Sequence, residues 1–165
     1  MQIGIIGSNS ECCDDKLHEF AYNLGIYLSN KGVTVINGGM NGTMKAVAKG
    51  IQDGKNKSTI VVGILPSDSS DSGNEYSDIK IPSGIGFARN SIIVLSSDVL
   101  IALGGGAGTL SELSFAWQYG KTVYCYEGVE GWSKELAGKD LDARKQKLFI
   151  GFERLEELNN LLFDE

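Results

Sequence analysis

Residues Leu103 to Leu113 read "LGGGAGTLSEL", with four glycines in five positions between an apolar run and an amphipathic one. Residues Gly38 to Thr43, "GGMNGT", repeat the G-G-x-x-G-T pattern found at Gly104–Thr109. Glycine admits positive φ and lets backbone N–H groups approach an anion with no Cβ in the way. The start of a following helix adds unpaired N–H donors and about half a positive charge. A phosphate or a carboxylate is the natural ligand of such a loop. The competing reading is that both loops are turns with a threonine N-cap. Thr109-Leu-Ser-Glu112 has the form of a capping box, worth about 1 kcal/mol. A cap does not call for four glycines, each of which costs roughly 0.5–1 kcal/mol in chain entropy.

Neither loop is a dinucleotide fingerprint. G-x-G-x-x-G counted from Gly104 needs glycine at Thr109, and counted from Gly106 needs it at Ser111. The loop also follows a middle strand, whereas that fingerprint follows the first. The first turn, "GIIGSNS" at Gly4–Ser10, fails as well. There is no G-x-x-x-x-G-K-[ST] and no G-x-S-x-G elbow, which argues against a P-loop NTPase and a serine hydrolase.

One cation is placed to help. Arg89 is expected early in a helix whose apolar stripe is Ile85, Ala88, Ile92 and Leu95. A rotation of 100° per residue puts Arg89 on the flank of that stripe, where it forks onto a phosphate or pairs with Glu112. Asn90 is expected to point the other way, to solvent or an interface. The residues expected to hold the ligand are Gly7, Ser8, Gly38, Gly39, Gly42, Thr43, Arg89, Gly105, Gly106, Ala107, Gly108 and Thr109. No metal site is expected: His18 is the only histidine, on a helix surface, and no C-x-x-C pair exists. Cys12, Cys13 and Cys125 read as reduced thiols of a cytoplasmic protein.

The elements that must carry these loops alternate. Candidate strands are Gln2–Gly7, Thr34–Asn37, Thr59–Leu65, Asp98–Leu103, Thr122–Tyr126 and Leu148–Phe152, rich in Ile and Val with little alternation. Helical patterns lie between them at Asp14–Asn30, Gly42–Asp53, Gly84–Ser96, Thr109–Tyr119 and Glu153–Phe163. The expectation is a Rossmann-like α/β fold: one domain over residues 1–165, with an open, mostly parallel sheet of about six or seven strands and helices on both faces. Ser67–Tyr76, "SDSSDSGNEY", reads as a polar rim loop suited to act as a lid, and Glu127–Arg144 as an irregular connection.

Composition bounds the partners. With 42% apolar and 22% charged residues, the 165-residue chain reads as an ordinary globular protein. Its apolar runs fall far short of the ~20 residues that span a bilayer, and "MQIGIIG" reads as a strand rather than a leader. No membrane partner is expected. The net charge of -6 argues against duplex nucleic acid, because counterion release needs a cationic surface.

"GGGAGTLSE" at Gly104–Glu112 resembles the P-G-G-x-G-T-x-x-E motif of the LOG proteins, cytokinin-activating phosphoribohydrolases long mislabelled as lysine decarboxylases. "GGMNGTMKAVAKG" at Gly38–Gly50 is similar to their second glycine loop and helix, and "GILP" at Gly63–Pro66 also fits. "ARN" at Ala88–Asn90 stands where that family has M-x-x-R-K. It keeps the arginine and lacks the lysine, and Gly104 replaces the family's proline. "IGIIGS" at Ile3–Ser8, "ARN" and the short chain are closer to the molybdenum cofactor carrier branch of the same superfamily, with the DNA-processing DprA proteins more distant. The resemblance covers about Met1 to Tyr126. It implies either a carrier of a phosphate-bearing molybdopterin-type cofactor or a hydrolase of nucleoside 5'-monophosphates, with Arg89 and Glu112 as the catalytic pair. It implies no required cofactor, a small phosphorylated ligand as partner, and a homodimer or homotetramer.

Overall fold

The computed structural model describes residues 1–11 and 13–163, so the reading of Cys12 lies outside the described residues. Seven strands form one all-parallel open sheet. In chain order the elements are β1 (Gln2–Gly7), α1 (Asp15–Leu28), β2 (Thr34–Asn37), α2 (Thr43–Asp53), β3 (Ile60–Leu65), β4 (Ile79–Pro82), α3 (Arg89–Leu95), β5 (Val99–Leu103), α4 (Ala107–Gln118), β6 (Val123–Tyr126), α5 (Trp132–Leu136), β7 (Phe149–Phe152) and α6 (Leu155–Leu162). The sheet order is β4-β3-β2-β1-β5-β6-β7. The chain winds outward from β1 to one edge, returns to the centre at β5, and then builds the other half. This α/β arrangement is the expected Rossmann-like class.

Strand residues alternate between two cores. Ile3 and Ile5 of β1, Ile101 and Leu103 of β5, and Tyr124 and Tyr126 of β6 pack with α1, α2 and α6. Ile6, Leu100, Ala102, Val123 and Cys125 pack on the other face with α3 and α4. Both faces are therefore apolar, which is why these strands read as unbroken hydrophobic runs.

Strand β4 is absent from the expected set. Its burial is slight, and Lys80 and Pro82 interrupt its apolar pattern, as suits an edge strand whose outer side needs no ladder. The helix expected over Gly84–Ser96 is shorter. Gly84 and Gly86 take left-handed φ of 67° and 59°, so the α-helix starts at Arg89, after a 3-10 turn over Gly86–Ala88. Its inward face is also not the expected one. Arg89, Asn90, Ile93 and Val94 are buried, whereas Ile85, Ile92 and Leu95 of the expected stripe are exposed.

The Ser67–Tyr76 segment is pinned rather than free. It contains a 3-10 turn at Ser70–Ser72, and Asn74 is buried, donating from its backbone N to Gly39 O at 2.8 Å and from Nδ2 to Met40 O at 3.0 Å. It braces the first glycine loop, and none of its residues lines the cavity described below. The Glu127–Arg144 connection contains α5, whose Ser133 Oγ accepts from Gly104 N at 2.8 Å. Among the described residues no helix is long and apolar enough to cross a membrane.

Candidate functional site

Strands β1 and β5 are neighbours, with Gly7 opposite Leu103, and their connections leave in opposite directions across the sheet. That reversal opens a crevice at the carboxyl ends of the strands, the place where open α/β sheets bind ligands. A cavity of about 320 Å³ occupies it. Its wall comes from Ile5, Ile6 and Gly7 at the end of β1, Asn9 just after it, Met44 of α2, Phe87, Arg89 and Asn90, and Gly106–Thr109 with Glu112 of α4.

The two glycine loops differ in kind. In the first, the bare Cα atoms serve packing. A Cβ on Gly38 would stand 2.6 Å from Arg89 Nη2, and one on Gly42 (φ 69°) would strike the Ser8 carbonyl oxygen. In the second, Gly106 and Gly108 both have negative or helical φ, and among the described residues no packed atom lies within 4 Å of where their Cβ would be. Neither a left-handed φ nor packing requires glycine there. Both residues line the cavity.

Ser8 ties these loops together. Its N donates to Leu103 O at 3.1 Å, its O accepts from Thr43 N and Thr43 Oγ1 at 3.0 Å each, and its Oγ accepts from Gly105 N at 2.8 Å. Ser8, Thr43 and Gly105 are thus occupied with one another. Together with Gly38, Gly39 and Gly42 they are not part of the cavity wall. Of the expected ligand set, Gly7, Arg89, Gly106, Ala107, Gly108 and Thr109 are the residues brought to the cavity.

The expected capping is not what starts these helices. Gly106 is the N-cap of α4 and Gly42 that of α2, with no side-chain cap bond at either. Thr109 and Glu112 sit inside α4, both buried, where neither can reach back as a capping box does. The first-turn N–H groups of Ala107, Gly108 and Thr109 consequently have no intrahelical acceptor.

Arg89 and Glu112 face each other across the cavity, Nη1 to Oε1 at 3.9 Å, each with 7% of its surface exposed. Burial pushes the Glu112 carboxyl from its ordinary 4.5 up to about 8, with the Arg89 charge opposing that rise only in part. Burial likewise lowers the Arg89 guanidinium, and the Glu112 charge opposes it. Arg89 Nη1 donates to Asn90 Oδ1, while Arg89 Nε is buried without a partner among the described residues. Asn90 is not solvent-facing. Its Nδ2 donates to Ser111 Oγ at 2.8 Å and lies 3.4 Å from Gly108 O, so it locks α3 onto the first turn of α4.

Ile5, Ile6, Asn9, Met44, Phe87 and Asn90 also line the site, outside the set expected to hold the ligand. Asn9 follows the Gly7–Ser8 turn directly, and Asn90 adjoins Arg89, so proximity to a chosen residue was the available signal. Met44 and Phe87 carried none.

An open parallel sheet with a glycine-walled, arginine-bearing crevice at its topological switch makes this a Rossmann-like α/β protein with a cavity at the rim where such sheets take ligands. Residues 1–157 match the SLOG cluster4 family, and the chain belongs to it. A protein of Archaeoglobus fulgidus described as uncharacterized is 47% identical over 123 residues, covering 74% of this chain and 78% of that one. The molybdenum cofactor binding protein of Rippkaea orientalis superposes with a TM-score of 0.83 at 31% identity, covering 98% of this chain and 94% of that one. The structure of TM1055 superposes with a TM-score of 0.87 at 28% identity, covering 98% and 97%.

One expectation about partners is corrected by this comparison. DNA processing protein A of Helicobacter pylori, described by its single-stranded DNA binding mode, has the same fold, with a TM-score of 0.70 at 16% identity over 98% of this chain and 80% of that one. The fold by itself is therefore compatible with binding single-stranded DNA. The counterion argument concerns a duplex against a whole surface, and a single strand can be held by a groove and stacked bases instead.

Proposed function

We propose that the chain is a carrier-like binding protein for a phosphate-bearing nucleotide or pterin-type ligand, held over the ends of β1 and β5. The observation that carries this reading is the pair Gly106 and Gly108, bare where neither φ nor packing demands it and facing a cavity. The phosphate takes the free N–H groups of the first turn of α4 and the unpartnered Arg89 Nε. A Glu112 that keeps its proton at pH 7 leaves the Arg89 charge for the ligand. Similarity to the Rippkaea orientalis molybdenum cofactor binding protein supports a pterin as cargo. Titration calorimetry with nucleoside 5'-monophosphates tests the reading. Binding that Arg89→Ala abolishes is the expected result, and a wild-type chain that binds no phosphate ester contradicts it.

A second reading, hydrolysis of nucleoside 5'-monophosphates, is favoured by Glu112 itself. A buried carboxylic acid that is neutral at pH 7 can donate its proton to a departing base while water attacks C1' of the ribose, giving free base and ribose 5-phosphate. Binding leads because Glu112 is the sole carboxyl among the described residues that line the cavity, leaving no second carboxylate to take the proton of the attacking water. Free base detected by chromatography, and lost in Glu112→Gln, would establish the hydrolase.

A further inference from the structure

Phe87 stands at the mouth of the cavity with 82% of its surface exposed, the largest exposure of any large apolar side chain among the described residues. Its position is built. Ser83 N donates to Leu65 O at 3.1 Å, Gly84 N to Ser67 O at 3.0 Å, and Gly86 N to Pro66 O at 2.9 Å, fastening the turn to the end of β3. The left-handed φ of Gly84 and Gly86 then turns the chain so that Phe87 precedes Arg89 by two residues, on the same wall of the cavity. An aromatic ring left in water on a fastened turn, beside the proposed anion cradle, is costly to keep unless something covers it. Its exposed neighbours Ile85, Ile92 and Leu95 do not line the cavity, and Phe87 does. The same cavity is also lined by the apolar side chains of Ile5, Ile6 and Met44. A flat ring joined to a phosphate through a short linker meets an aromatic face, an apolar wall and a cradle in one cavity.

We infer that Phe87 is a stacking platform for the planar heterocycle of the ligand, and that it makes the site choose ring-bearing phosphates over bare sugar phosphates. The inference rests on the phosphate cradle proposed above. Adenosine 5'-monophosphate and ribose 5-phosphate are the probes, titrated into the full chain by calorimetry. Stacking predicts that the wild type binds the nucleotide about tenfold or more tightly than the sugar phosphate. Phe87→Ala should bring the nucleotide to the sugar phosphate's level and leave the latter unchanged, and Phe87→Trp should restore the preference. Because the side chain is exposed, neither variant disturbs the core. Equal wild-type affinity for the two probes overturns the stacking role and leaves the cradle standing. So does an equal weakening of both in Phe87→Ala, or unchanged nucleotide affinity in Phe87→Ala. If neither probe binds the wild type, the cradle reading fails and this one with it.

Discussion

The Glu112 carboxyl lies 3.9 Å from the Arg89 guanidinium in a buried cavity, yet its pKa is raised, not lowered. Desolvation outweighs the attraction because the contact is long and the guanidinium is shared with Asn90. The unfolded chain ionises Glu112 near 4.5, while the folded chain keeps the proton up to about 8. The native state therefore binds more protons in that window, and stability falls as pH rises through it. Asp53, Glu75, Asp78 and Asp142 are held below their ordinary values, so their contributions fade only on the acid side of the window. Urea unfolding of wild type and Glu112→Gln at pH 5 and pH 8.5 checks this. The wild type should lose stability relative to the variant at the higher pH, and a pH-independent difference contradicts it.

Gly108→Ala should move stability and binding in opposite directions. The residue is helical and open, so alanine there gains about 0.5–1 kcal/mol, or roughly 1–4 °C in Tm. The same methyl group stands in the proposed cradle, so affinity for a nucleoside monophosphate should fall about tenfold. Gly42→Ala is the contrast, because its φ of 69° and the Ser8 carbonyl leave no room for a Cβ. It should destabilise by about 1–3 kcal/mol. Thermal melts and calorimetry on the two variants separate a glycine kept for a ligand from one kept for the chain.

Much of this was legible in the sequence, for definite reasons. The central strands are apolar on both faces and show as Ile- and Val-rich runs, and Gly104–Thr109 announces a strand-to-helix loop. What stayed hidden depends on which face of an element meets the core. Ile85, Ile92 and Leu95 have helical spacing and look like a core stripe, but α3 buries Ile93 and Val94 together with Arg89 and Asn90 instead. Hydrophobic periodicity assigns apolar residues to the core and cannot see that this helix turns its polar side toward a site. Thr109 and Glu112 match a capping box by spacing alone, and the helix begins three residues earlier than that box requires. Gly42 and Gly108 hold the same place in the G-G-x-x-G-T repeat, and only the backbone φ and the packed neighbours distinguish them.

Asn90→Asp should weaken anion binding more than Asn90→Ala does. The amide donates to Ser111 Oγ and holds the first turn of α4 in place, and both substitutions lose that bond. The aspartate also brings a carboxylate against Arg89, which already donates to the oxygen at this position. Arg89 would then be neutralised by its neighbour rather than by the ligand. Calorimetry with a nucleoside monophosphate at pH 7 should rank wild type above Asn90→Ala and Asn90→Ala above Asn90→Asp. Equal losses in the two variants would mean that Asn90 acts only as a brace.

Gly104 stands where the LOG motif has proline, and the backbone explains why proline is not tolerated here. Its φ is 62°, whereas a proline ring fixes φ near −65°. Its N–H also donates to Ser133 Oγ at 2.8 Å, a bond that fastens the loop to the start of α5 and that proline cannot make. Ser133 Oγ in turn donates to Tyr126 O at 2.7 Å, so the loop after β5 is tied to the end of β6. Gly104→Pro should therefore destabilise the chain by about 1–3 kcal/mol from backbone strain, a fall in Tm of roughly 2–12 °C, with the lost hydrogen bond adding to it. Gly104→Ala keeps the N–H, and its strained φ should cost less than proline does. If Gly104→Pro melts like the wild type, the loop can take the proline-bearing path, and the left-handed turn at Gly104 is not what holds Gly106 and Gly108 open to the cavity.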